Sequence, residues 1–191
     1  MIRSETVIKN SKNLLLQTAK DLETIEIVKF QEQIFRSSDF KNMVVFNQKN
    51  NLKNSLESLI YTIKLVDVGK KEILLKIFKQ FNFENKGKED RVSLSQDNTD
   101  NNLSNYLYVG SSTTDFIGRL KYHLGVRKAN GLYALHLSKW DERIDYEIHV
   151  CTYQVISKNK DTAVKNLTVE ILEQQIWDQC KPLFGKRSGL G

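Results

Sequence analysis

Proline is almost missing from this chain: Pro182 is the single one in 191 residues. Glycine is also scarce before Gly110. Little therefore interrupts regular structure in the first half, which reads as helical. Cysteine is equally sparse. Cys151 and Cys180 stand far apart with no second pair, which excludes a disulfide scaffold and a zinc knuckle. No apolar run approaches the roughly 20 residues a membrane span needs. The N-terminus lacks the apolar stretch and small-residue cleavage site of a secretory leader. These absences predict a cytoplasmic protein with no membrane partner.

What is present is the composition of a globular protein with a sizeable core, 40% apolar and 27% charged. The length fits one domain with a large appendage or two small ones. A net charge of +6 leans towards an anionic partner such as nucleic acid, but the cations are spread over both halves rather than gathered in a basic tail.

Residues 5–36 space Val7, Ile8, Leu14, Leu15, Ala19, Leu22, Ile25, Phe30 and Ile34 at intervals of three and four, which predicts helix. The cluster Met43–Phe46 is too short for a helix and reads as a strand or buried turn. Leu52, Leu56, Leu59, Ile60 and Ile63 predict a second helix, ending near Gly69. A third is expected from Lys71 to about Phe81. The acids and lysines of this half alternate as on solvated helical faces, so it reads as a support, or as a surface for a protein partner or a second copy. Between Asn82 and Asn105 the chain turns charged and then rich in Ser, Asn and Asp, which suits a boundary near residue 85 between a helical region (1–85) and a second domain (86–191).

In that second domain Tyr106-Leu107-Tyr108-Val109 reads as a strand, with Tyr106 and Tyr108 on one face. Gly110-Ser111-Ser112 turns the chain, Thr114 or Asp115 caps a helix from Phe116 to Leu124, and Arg119 and His123 sit one turn apart on it. Leu132–Leu137 and Ile144–Ile156 read as strands, the latter rich in β-branched and aromatic residues. A last helix follows Asp161 or Thr162 and runs to Lys181. The expected class is α+β: a small mixed or antiparallel sheet flanked by helices and preceded by the helical region.

Tyr108-Val109-Gly110, then Ser111-Ser112, Arg119 and His123, resembles the second half of the signature of the GIY-YIG nuclease superfamily, a YIG strand leading into a helix with R-x-x-x-H. Downstream, Glu173 on a helix ending before Pro182 and the aromatic Phe184 is similar to that superfamily's C-terminal motif. The resemblance covers residues 91–191. It implies a nuclease in which Glu173 holds Mg²⁺ or Mn²⁺, Arg119 clamps the phosphate, Tyr108 orients or deprotonates water, and His123 assists proton transfer. Glu170 is the alternative ligand. Such a set suits phosphodiester hydrolysis, which needs a nucleophilic water, a cation opposite the charge growing on phosphorus, and help for the leaving oxygen. DNA is the expected substrate ahead of RNA, and Lys121, Arg127, Lys128, Lys186 and Arg187 are the cations expected to touch its backbone.

Two positions depart from the pattern. The superfamily's first strand carries a tyrosine, and its expected counterpart, Arg91–Ser95, offers only Ser93, a poor base, with Tyr106 as a substitute. Gly185 stands where many members place asparagine. Loss of both would leave a module that binds nucleic acid without cutting it. His136 and His149, without metal-ligand spacing, are expected to be structural. The tail from Gly185 to Gly191 is not a phosphate loop of the Walker A kind, since Cys180 occupies the position of its first glycine.

Overall fold

A computed structural model describes residues 4–99, 103–127, 131–140 and 144–187. Among these described residues five α-helices and four strands follow in the order α1 (Ser4–Leu22), β1 (Glu26–Arg36), α2 (Met43–Lys49), β2 (Ser58–Leu65), α3 (Lys71–Asn85), β3 (Tyr106–Ser112), α4 (Phe116–Leu124), β4 (Glu147–Ile156) and α5 (Thr162–Cys180). The class is α+β. All pairings in the sheet are antiparallel and its order is β1-β4-β2-β3, which makes β3 one of its two edges.

The second half follows its sequence signals more closely, but Gly110-Ser111-Ser112, expected to turn the chain, continues β3 instead, paired with Tyr61, Ile60 and Leu59 of β2. α4 starts at its cap, Asp115, whose carboxylate accepts from the Gly118 N–H at 2.8 Å, and it stops at Gly125 in the left-handed conformation at φ 78°. α5 starts at Asp161, which accepts from the N–H groups of Ala163 and Val164. α3 also forms where the periodicity predicts it. Leu132–Leu137 does not become a strand: Ala134 makes one parallel bridge with Leu94, and a turn of 3-10 helix follows at Leu137–Lys139.

The first half departs most. The helix predicted over 5–36 ends at Leu22, and the rest is β1. Met43–Phe46 opens the short helix α2, capped by Asn42, which accepts from the Val45 N–H at 3.0 Å. The helix predicted over Leu52–Gly69 is instead strand β2, while Leu56, one of its supposed apolar anchors, lies fully exposed. Ser58–Leu65 is buried on both faces, so its apolar run satisfies a central strand as well as a helix.

Along β2 the residues Leu59, Tyr61, Ile63 and Leu65 point to one side. With Phe35, Ile148 and Val150 from the neighbouring strands they meet Phe46, Leu74, Phe78, Phe116, Leu120 and Leu124 from α2, α3 and α4. On the other side Ile60 and Val155 meet Val169, Leu172 and Ile176 of α5. α1 joins this outer layer through Asp21, which accepts from Ser157 at 2.6 Å and Thr168 at 3.0 Å. The boundary expected at residue 85 runs through the sheet, since β1 and β2 precede it and β3 and β4 follow. Among the described residues no helix is long and apolar enough to cross a membrane.

Candidate functional site

The site forms where α4 crosses the edge strand. β3 pairs with β2 so that Gly110 lies opposite Tyr61 and Tyr108 opposite Ile63. The register then slips, pairing Tyr106 with Lys64 and leaving Leu107 as the extra residue of a bulge. This slip parts the two tyrosines expected on one face. Tyr108 turns towards α4, its ring centroid 4.1 Å from that of His123, whereas Tyr106 lies under the Lys64 ammonium, 5.4 Å away, in a cavity it shares with Trp177 and Cys180 of α5. Tyr106 therefore cannot stand in for a missing catalytic tyrosine.

Tyr61, from a strand predicted as helix, lies against Tyr108 instead. Its ring stacks with Tyr108 at 6.1 Å and tilts against Phe116 at 5.3 Å. Gly110 lies beneath both phenols: a Cβ there would fall 2.7 Å from Tyr108 Cε1 and 2.8 Å from the Tyr61 hydroxyl. From the opposite side Gly185, at φ 104°, backs Tyr108, with a Cβ position 2.8 Å from its Cε2. The C-terminal segment is fixed there because the Leu183 and Phe184 N–H groups donate to the carbonyls of Tyr106 and Leu107. Gly185 is thus set by close approach and by φ.

α4 supplies the remaining groups of this face. Arg119 is exposed, while His123 is buried with its Nε2 3.0 Å from the Tyr61 hydroxyl oxygen. The Leu135 backbone N–H approaches His123 Nδ1 at 3.4 Å. A backbone N–H only donates, so Nδ1 accepts and the ring proton sits on Nε2, directed at the Tyr61 oxygen. Burial, followed by the charges of His136 and Arg119, pushes the His123 pKa down to about 3, leaving the ring neutral at pH 7.

Burial also raises the phenols. Tyr108 is pushed up to about 12 by burial and then by the Glu173 carboxylate, against the pull of Arg119. Tyr61 lies well above its ordinary value, first through burial and then through Tyr108, with Arg119 opposing. Glu173 stands on α5, on the other side of β3, close enough that its charge acts on both tyrosines. Its carboxyl is held above the usual range by burial, opposed by a hydrogen bond from Ser111 and by Arg119, while Glu170 pushes it higher. Among the described residues no group of three or more His, Cys, Asp or Glu gathers to hold a metal.

A cleft of about 380 Å³ opens beside this cluster and is lined by Tyr108, Arg119 and His123. The larger cavity around Tyr106, about 740 Å³, contains none of the four residues Tyr108, Arg119, His123 and Glu173.

Of the other expected residues Arg127 lines the smaller cleft, and the rest fall elsewhere. Ser93 joins the fold through its carbonyl, which accepts from the Ala134 N–H at 3.1 Å, and residues 91–95 do not form a sheet strand. Lys121 reaches the Phe46 ring at 5.6 Å, Arg127 covers the Tyr122 ring at 5.0 Å, and Lys186 is exposed. Arg187 grips Asp178 with two nitrogens, at 2.9 and 2.7 Å. Lys128 lies outside the described residues. His149 pairs with Glu32 at 2.6 Å, and His136 is buried with its Nε2 3.4 Å from the Leu132 carbonyl.

Tyr61 was not among the residues expected from the sequence. Its available signal was the β-branched and aromatic run Leu59-Ile60-Tyr61-Thr62-Ile63, which suits a strand. No family model, no curated protein and no solved structure matches the chain.

Proposed function

We propose that the protein is a divalent-metal-dependent endonuclease of the GIY-YIG type that hydrolyses phosphodiester bonds in DNA. The observation that carries this reading is the convergence of Tyr61, Tyr108, Arg119 and His123 on one side of the edge strand, with Glu173 on α5 close enough for its charge to act on both tyrosines. Tyr61, on the strand paired with β3, supplies the tyrosine that the resemblance requires and residues 91–95 lack.

Glu173 fits a divalent cation. Its half-buried carboxylate is costly to leave as a bare charge, and a cation beside it relieves that cost. A single carboxylate suits Mg²⁺ or Mn²⁺, ions that keep several of their waters. The bound ion would draw electron density from the phosphate and stabilise developing negative charge.

The chain's own groups supply the rest. Arg119, exposed at the cleft, takes the non-bridging phosphate oxygens. In the free protein both phenols stay protonated at neutral pH, so Tyr108, which lines the cleft, begins as the hydrogen-bond donor that aims a water at phosphorus, and buried Tyr61 stacks behind it. His123 Nε2–H already occupies the Tyr61 oxygen. The histidine therefore acts through Tyr61, fixing the orientation of that buried hydroxyl behind Tyr108. The water oxygen bonds to phosphorus, the bond from phosphorus to the leaving sugar oxygen breaks, and the proton that the water gives up ends on that leaving oxygen.

Supercoiled plasmid with Mg²⁺ or Mn²⁺ tests the reading. Cleavage is expected in wild type, and Glu173→Ala, Arg119→Ala and Tyr61→Phe should each lower it by about 10²-fold or more, the size of effect seen when one preorganised electrostatic group is removed. Full activity in Glu173→Ala would refute the assignment of the ligand. Absence of cleavage together with salt-sensitive DNA binding would leave a binding module instead.

A further inference from the structure

The cleft that holds Arg119 continues outward past α4, and its outer wall has little part in holding the fold. That wall includes Tyr122, Arg127, Leu132 and Tyr133, and the same cleft holds the Asp115 carboxylate, which caps α4 through the Gly118 N–H and leaves the guanidinium of Arg127 over the Tyr122 ring. Tyr133 is 76% exposed and Leu132 51%. Arg127 is exposed too, its guanidinium 5.0 Å over the Tyr122 ring. A phenol and a leucine left in water contribute little to stability, so their place on the rim of a concave site needs another reason. Lys121 points away towards Phe46, which leaves Arg127, among the described residues, as the cation of the outer cleft.

Aromatic faces, an arginine and an adjoining phosphate clamp are what a nucleotide requires. Bases stack on tyrosine whatever their sequence, because every base has a π-face, and arginine adds a cation–π contact. We propose that the outer cleft is a nucleotide subsite, receiving an unpaired base against Tyr133 and Tyr122 from the nucleotide that flanks the phosphate held by Arg119. The proposal rests on the nuclease reading and deepens it by naming a substrate class. A base inside an intact duplex is covered on both faces and reaches such a cleft only by leaving its stack. The cost of leaving is least where the base is already single-stranded or mispaired. The preferred substrates are therefore single strands, flaps and mispaired sites. A surface built only for duplex phosphates would need Arg127 but not the exposed ring of Tyr133.

Fluorescence anisotropy tests this with the full chain carrying Glu173→Gln, or wild type in EDTA, and labelled oligonucleotides of one sequence as a single strand, a duplex with one mispair and a perfect duplex. Single-stranded and mispaired DNA should bind more tightly than perfect duplex. Adding Tyr133→Ala should weaken those two complexes by about tenfold, as the loss of one stacked base does, and the perfect duplex by less than twofold. The melting temperature should stay unchanged, because Tyr133 is exposed. Equal weakening of all three complexes, no weakening of any, or a preference for perfect duplex overturns the subsite. If wild type cuts plasmid while Tyr133→Ala binds every DNA as wild type does, the subsite alone falls. If no DNA binds at all, the nuclease reading falls with it.

Discussion

His123 is the most constrained titratable group of the cluster. Both ring nitrogens are engaged, Nδ1 by the Leu135 N–H and Nε2 by Tyr61, and burial with His136 and Arg119 nearby holds its pKa at about 3. Because the folded-state value lies below that of the unfolded chain, its contribution to stability is complete above about pH 6.5 and is lost as the pH falls towards 3. Between pH 7 and pH 4 the loss should be about 3 kcal/mol, at about 1.4 kcal/mol for each pH unit below the ordinary histidine value. Glu173 titrates in the opposite sense, since burial raises its carboxyl. Asp115, lowered by the Gly118 N–H, and Asp178, lowered by Arg187, share the sign of His123 but act at lower pH. Comparison with His123→Asn isolates the histidine. Urea unfolding of the two proteins at pH 7 and pH 4 should show a larger acid loss in wild type by about that amount. Equal losses would mean that the ring takes up a proton without opening its pocket.

At the scale of elements, the approach of β3 to the two tyrosines depends on a position without a side chain. A methyl at Gly110 meets a phenol ring on one side and a phenol hydroxyl on the other. Gly110→Ala should therefore displace Tyr61 and Tyr108, lose about 1–3 kcal/mol of stability to overpacking and abolish cleavage. Gly69→Ala is the control, since nothing lies within 4 Å of its Cβ position, and it should change stability by less than about 0.5 kcal/mol. Thermal melts and plasmid assays of both variants decide the matter, and an active Gly110→Ala protein would show that the tyrosine pair tolerates rearrangement. The same elements explain what the sequence disclosed. β3, α4 and α5 carry local signals: an alternating strand at Tyr106–Val109, Asp115 and Asp161 as caps, and Gly125 as a stop. Tyr108, Arg119 and His123 belong to consecutive elements, so a short motif reveals them together, whereas Glu173 required a second motif. Tyr61 was hidden because Leu59, Ile60 and Ile63 fit a helical period when read with Leu52 and Leu56, and only the sheet distinguishes that run from a strand. Nor did the sequence mark the bulge at Leu107 that separates Tyr106 from Tyr108, because a bulge is set by how β3 pairs with β2.

For the whole molecule, strand order decides which pieces of chain can fold. β2, from the first half, lies between β3 and β4, from the second, and its Leu59, Tyr61, Ile63 and Leu65 are buried among residues of both halves. A fragment of residues 86–191 lacks the strand that joins its two strands to each other, and it lacks Tyr61. It should show no cooperative unfolding transition, because removal of a central strand exposes both neighbouring ladders and divides the core. Residues 58–191 keep β2, α3 and everything after them, losing only α1, edge strand β1 and α2. Deleting an edge strand leaves β4 as a new edge with the β4-β2-β3 ladder intact. This longer fragment should melt cooperatively, at a lower temperature than the full chain because Phe35, Phe40 and Phe46 no longer cover the core. Circular dichroism melts of the two fragments beside the full chain provide the comparison. A cooperative melt of residues 86–191 would mean that β3 and β4 can pair directly, and would restore a domain boundary at residue 85.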